Sequence, residues 1–110
     1  MKKIVFLVQG SAATPYRLTF TKDNNNMNAF CTCPAGDNGQ YCKHRLNILN
    51  GLSNNIVSNN KEEVHTIQEL LKDTDLEKAL FDFYKAEKEF ESAKHKFQIA
   101  KKNIAIAMRS

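Results

Sequence analysis

The spacing of apolar residues changes twice along this chain, and each change marks a new kind of element. Residues 2–9 hold a short β-branched run, Ile4 to Val8, behind Lys2 and Lys3, which predicts a strand ended by Gly10 and Ser11. From Tyr16 to Lys22 the pattern alternates. Tyr16, Leu18 and Phe20 share one face and Arg17, Thr19 and Thr21 the other, as in a half-buried strand. Residues 22–26 are polar and Asn-rich and read as a hairpin turn, so Met27 to Cys33 should return as a third strand. A short helix is expected over about 44–50, with Gly51 as its stop and Leu46, Leu49 and Leu52 covering the sheet.

Residues 53–60 are Asn- and Ser-rich and form a connector in which Ile56 and Val57 tuck onto the core. Asn60 with Glu63 has the spacing of a capping box, followed by a helical stripe of Val64, Ile67, Leu70 and Leu71 that ends near Asp73. Thr74 with Glu77 is a second such signal. No Gly or Pro follows it, so one helix should run from about Asp75 to Met108. The chain thus divides into a module over 1–52, a connector over 53–60, a short amphipathic helix over 61–73 and a long helix over 74–110. The fold class is α+β: a three-stranded antiparallel sheet with a short helix, then a hairpin-like helical extension.

The long helix repeats every seven residues. Leu76, Phe83, Phe90, Phe97 and Ile104 occupy one position, and Ala79, Ala86, Ala93, Ala100 and Ala107 the position three further on. These are the two core positions of a coiled coil. The other reading is an amphipathic helix lying on its own domain. Five unbroken large/Ala pairs favour helix-on-helix packing, and with it an antiparallel homodimer in which each large side chain sits over an alanine. The flanking charges agree. Asp82, Glu87 and Glu89 lie in the first half and Lys94, Lys96 and Lys101 in the second, so reversal sets acidic against basic.

Composition narrows the possibilities. The 110 residues allow one ordinary domain, or a small module plus an extension. No stretch has the length and apolarity of a membrane span, and Lys2 and Lys3 lead into no cleavage-like tail, so a cytoplasmic protein with no membrane partner is expected. The net charge of +4 is uneven. Residues 1–60 hold six basic and two acidic groups, whereas residues 61–110 hold ten of each. The excess sits on the first module, which points to a mild basic face.

All three cysteines of the chain fall within fourteen residues, as Cys31, Cys33 and Cys42, and His44 completes the run C-x-C, eight residues, C-x-H. Chance would scatter three cysteines; clustering at ligand spacing indicates one structural zinc ion per chain on a Cys3His set. The alternatives are free thiols in a reducing compartment, or one disulfide with a cysteine left over. In an extended chain Cys31 and Cys33 point to the same side, and Pro34 holds Cys33 extended. Between Pro34 and Gly39 the composition is that of a turn, with two glycines available for positive φ. Cys42 and His44 cannot both be mid-helix, but they can reach one ion if Cys42 precedes a helix and His44 lies in its first turn. A module this small needs the metal for folding.

With the four ligands and the strand and helix patterns on either side, the stretch from about 3 to 52 resembles a SWIM-type zinc finger, whose motif is C-x-C-x(n)-C-x-H. The resemblance implies zinc on Cys31, Cys33, Cys42 and His44, and binding of DNA or of other proteins. The residues themselves speak against an enzyme or a small-molecule substrate: four ligands close the ion, and His65 and His95 stand isolated. Two functions follow as expectations. One is a nucleic-acid-binding adaptor, DNA ahead of RNA, using Lys43 and Arg45 beside the metal and extended by Arg17, Lys22, Lys2 and Lys3. Lys43 and Arg45 read equally well as solvated charge offsetting the thiolates. The other is a protein-interaction module or small regulator docking onto a nucleic-acid-processing enzyme.

Overall fold

A computed structural model describes residues 2–109. Its elements follow one another as β1 (Lys2–Val8), β2 (Tyr16–Asp23), β3 (Asn26–Cys31), α1 (Pro34–Asp37), α2 (Lys43–Leu49), a 3-10 turn (Lys61–Glu63), α3 (Val64–Leu71) and α4 (Asp75–Met108). The chain separates into two compact units, the first ending at Glu77 and the second beginning at Lys78.

In the first unit the strands form an antiparallel sheet in the order β1-β2-β3. Phe6 lies opposite Leu18, and Leu18 opposite Cys31, so one row across the sheet ends at the metal ligands. The β2–β3 turn needs only Asn24 and Asn25, because Asn24 accepts a left-handed φ of 56°. The alternation read in β2 is realised: Leu18 and Phe20 are buried and Arg17 is exposed. The inner face meets α2, the connector and α3, where Ile48, Leu49, Ile56, Val64 and Ile67 are buried. Phe6, Phe20, Leu18, Ile48 and Ile67 are the largest fully buried side chains. Each contributes about 1.5–3 kcal/mol by leaving water. Phe6 and Phe20 meet edge to face with centroids 5.9 Å apart.

Three local readings differ from the expectation. β3 stops at Cys31, because Cys33 caps α1 instead of extending the strand. Leu52 is turned out and Ile48 takes its place in the core, since the chain reverses at Gly51 (φ 86°) before Leu52 can continue the helical face. Ile56 is buried but Val57 is exposed, because the connector runs as a fourth extended segment beside β1 and neighbours on it face opposite ways.

Both edges of the sheet are sealed. On the β1 side, Gln9 N donates to Asn55 O and Val57 N to Leu7 O, each at 2.8 Å, while the Asn60 side-chain amide donates to Val5 O at 2.8 Å. On the β3 side, Met27 N donates to Asp75 Oδ1 at 2.9 Å and Arg45 Nη1 donates to Ala29 O at 2.9 Å. The start of α4 is therefore built into the first unit. Its cap is the one read from Thr74 and Glu77: Glu77 N donates to Thr74 Oγ1 at 3.2 Å, and Asp73 N donates to Glu77 Oε1 at 3.0 Å.

The second unit is the remainder of α4. The helix runs unbroken for 34 residues with the bounds expected from the sequence, and none of its residues is fully buried. No helix among the described residues is long and apolar enough to cross a membrane.

Candidate metal centre

Four side chains from three elements converge at the end of the sheet. Cys31 closes β3, Cys33 caps α1, Cys42 caps α2, and His44 is the second residue of α2. Their ligand atoms all lie within 4.8 Å of one another. The Sγ atoms of Cys33 and Cys42 are 3.4 Å apart, and His44 Nδ1 is 3.5 Å from Cys42 Sγ and 4.0 Å from Cys31 Sγ. A tetrahedral zinc with bonds of about 2.3 Å to sulfur spaces its sulfurs by roughly 3.7 Å. All three cysteines are buried and none is in a disulfide. The donor set, its spacing and its burial fit one structural zinc ion.

The local folding follows from the residues between the ligands. Cys33 is extended (φ −64°, ψ 160°), as the following proline requires, and Gly36 N donates to its Sγ at 3.3 Å. The spacer is not a plain turn. It is the one-turn helix α1, closed by hydrogen bonds from Gly39 N to Gly36 O and from Gln40 N to Ala35 O. Only Gly39 uses positive φ, at 71°. Gly36 is required for space: a Cβ there would stand 2.6 Å from Cys31 O and 2.7 Å from Cys31 Cβ. Cys42 is extended ahead of α2 (φ −143°, ψ 119°), which lets its sulfur and the His44 ring face one point.

The electrostatics differ among the sulfurs. Burial, together with hydrogen bonds shared with Cys33 and Cys42, pushes the Cys31 thiol up to about 12, against the pull of the Cys33 amide. Burial also works against a charged Cys42, but the Arg45 amide and the Cys33, His44 and Cys31 side chains outweigh it and bring Cys42 down to about 6. The imidazole is held by Tyr16, whose ring centroid lies 5.1 Å from that of His44. Gly10 leaves room for this pair, since a Cβ on it would come within 2.4 Å of the Tyr16 ring.

The basic candidates separate by position. Arg45 donates to Ala29 O and to Gln40 O, so its guanidinium ties β3 to the ligand loop. Lys43 is exposed beside the ligand cluster, in a depression it shares with Ser11, Tyr16 and Tyr41. Lys2 and Lys22 are cross-strand partners at the far end of the sheet. Lys3 and Arg17 are exposed on the outer sheet face. Gly10, Tyr16 and Gly36 went unrecognised in the sequence as parts of the site, and the Pro34–Gly36 spacing inside the ligand loop was the only local hint.

No curated protein and no solved structure matches the chain. The family model of the SWIM zinc finger matches residues 6–49, a span that contains both ligand pairs, the end of β1, and β2, β3, α1 and α2. Over these residues the chain matches the SWIM zinc finger, with Cys31, Cys33, Cys42 and His44 as the cluster that could hold one structural zinc ion.

Proposed function

We propose that the finger binds nucleic acid, DNA in preference to RNA, as a non-catalytic adaptor. The observation that carries this reading is the uncompensated positive charge of the finger. Residues 1–60 hold six basic and two acidic groups. Among the described residues, no lysine or arginine of the finger is in an ion pair; the one salt bridge is Lys78 to Asp82 in α4. Arg17, Lys3 and Lys43 are therefore open to phosphate, whereas Arg45 is occupied by the fold. Zinc on three thiolates removes one unit of this excess and leaves a modest attraction, suited to contacts with the backbone of a duplex.

The test is anisotropy of labelled duplex DNA and RNA against salt, with a zinc-loaded Arg17→Ala, Lys43→Ala variant. Binding should weaken, and the slope of log affinity on log salt should fall by about one to two. An unchanged slope and affinity would favour the second reading, a protein-docking module. That reading has its own observation: Val57, Leu7 and Phe30 expose apolar surface on the outer sheet face, with Phe30 at 58%. A Phe30→Ala change that abolishes partner binding without altering salt dependence would support it.

A further inference from the structure

Helix α4 leaves a long apolar stripe uncovered. Phe90, Phe97 and Ile104 are 64%, 61% and 60% exposed, and the alanines between them are exposed as well. Burying such a stripe requires a surface with small residues wherever α4 has large ones. The same helix, reversed, has that surface. We propose that two copies of the chain pair through α4 as an antiparallel homodimer, with the dyad between Phe90 and Ala93.

The register follows from the repeat. Setting Phe90 over the partner's Ala93 also sets Phe83 over the partner's Ala100 and Leu76 over the partner's Ala107. The dyad duplicates each contact, so every layer is one large residue on one alanine. A parallel pair would stack ring on ring in one layer and leave an alanine gap in the next.

The charges choose the same direction. In antiparallel pairs the positions beside each core residue face their own kind on the partner. Glu87 then meets the partner's Lys94, and Glu89 meets the partner's Lys96, each twice. A parallel pair in register would instead place Asp82 by the partner's Glu87 and Lys96 by the partner's Lys101, with only Glu89 and the partner's Lys94 of opposite sign. Exposed pairs are individually weak, so they select direction while the apolar layers supply the affinity. With the dyad at that point, reversal separates the two helix starts at Asp75 by about 50 Å along the axis.

Zinc-loaded full-length protein serves for the test, with a spin label introduced on a bioorthogonal side chain so that the three cysteines stay on the metal. Lys88 and Lys102 are both exposed and lie on the same helix face, two heptads apart. In the antiparallel register the two copies of position 88 are offset along the axis by about 10 Å, and those of position 102 by about 32 Å. Label separations should therefore be clearly longer at 102 than at 88, and sedimentation should give a mass of two chains at micromolar concentration. Phe90→Glu should raise the dissociation constant at least a hundredfold while zinc content stays at one per chain. Equal separations at both positions, a single-chain or larger-than-two-chain mass, or an undisturbed dimer in Phe90→Glu would each overturn the proposal. None of these readouts involves nucleic acid, so they stand apart from the reading of the finger.

Discussion

Two sulfurs of the metal cluster, Cys31 and Cys42, differ in their hold on a proton. Cys31, raised to about 12, is a thiol at neutral pH, while Cys42, lowered to about 6, is a thiolate. Zinc binds thiolate, so loading at pH 7 must displace at least the Cys31 proton. A zinc titration in weakly buffered solution should release one proton or more per ion, and affinity should fall as pH is lowered. A proton count of zero would contradict the ligand set. In the metal-free finger the signs are opposite for the two groups. The lowered Cys42 contributes stability above its ordinary value near 9.0, and loses it as pH falls through about 6. The raised Cys31 contributes below 9.0, and loses it as pH rises through about 12. The ligands were legible because their spacing alone identifies them. Gly36 and Arg45 were not: Gly36 matters through its distance to Cys31, and Arg45 through two carbonyls, Ala29 O and Gln40 O, brought together only by folding.

Elements with one strong periodic signal were read to within a residue or so. β2 and α4 are the clearest, since alternation fixed the first and the Thr74 cap, with no breaker after it, fixed the second. The weaker elements were set by what they pack against. The connector reads as loop by composition, yet its backbone pairs with β1 and decides that Ile56 goes in and Val57 out. The tie between β3 and α4 belongs to the same scale. Asp75 Oδ1 accepts the Met27 amide, and Asp75 N donates to Asn25 O at 3.1 Å. Asp75→Ala leaves a partly buried amide without its acceptor, which costs about 1–3 kcal/mol. Asp75→Asn keeps an acceptor oxygen and should recover most of that loss. Urea unfolding of the two zinc-loaded variants checks the order; equal stability for both would show that the Met27 contact carries no weight.

For the whole molecule, the proposed dimer and the proposed nucleic-acid contact together predict a dependence of binding on target length. In that reading one finger occupies one site, and the second can engage only where the target spans the roughly 50 Å between the helix starts. At about 3.4 Å per base pair that is some 15 base pairs. A duplex much shorter than this should bind the native protein and Phe90→Glu equally. A duplex well beyond it should bind the native protein at least tenfold more tightly, because the second contact is intramolecular. Equal affinity of the two proteins for the long duplex would show that the fingers act singly. The heptad repeat and the unbroken run of α4 from Asp75 to Met108 were both legible in the sequence, because no Gly or Pro follows the Thr74 cap.

The ligand loop has a further consequence. The ligand pairs belong to separate elements, and the stretch between them is closed early: α1 ends in its own hydrogen bonds at Gly39 and Gln40, and Arg45 holds Gln40 O. Beyond Gln40 the chain is exposed until Cys42 re-enters the core. A guest segment placed between Gln40 and Tyr41 would thus enlarge a loop whose ends are already pinned. Loop-closure entropy grows only with the logarithm of length, so eight added Gly/Ser residues, which double the spacer, should cost about 0.6 kcal/mol. Zinc content and melting temperature of such an insertion protein measure this directly. Loss of the metal would mean that the spacer's length, and not its two anchored ends, holds the finger together. Otherwise the finger is a display scaffold, able to carry a foreign peptide beside its metal.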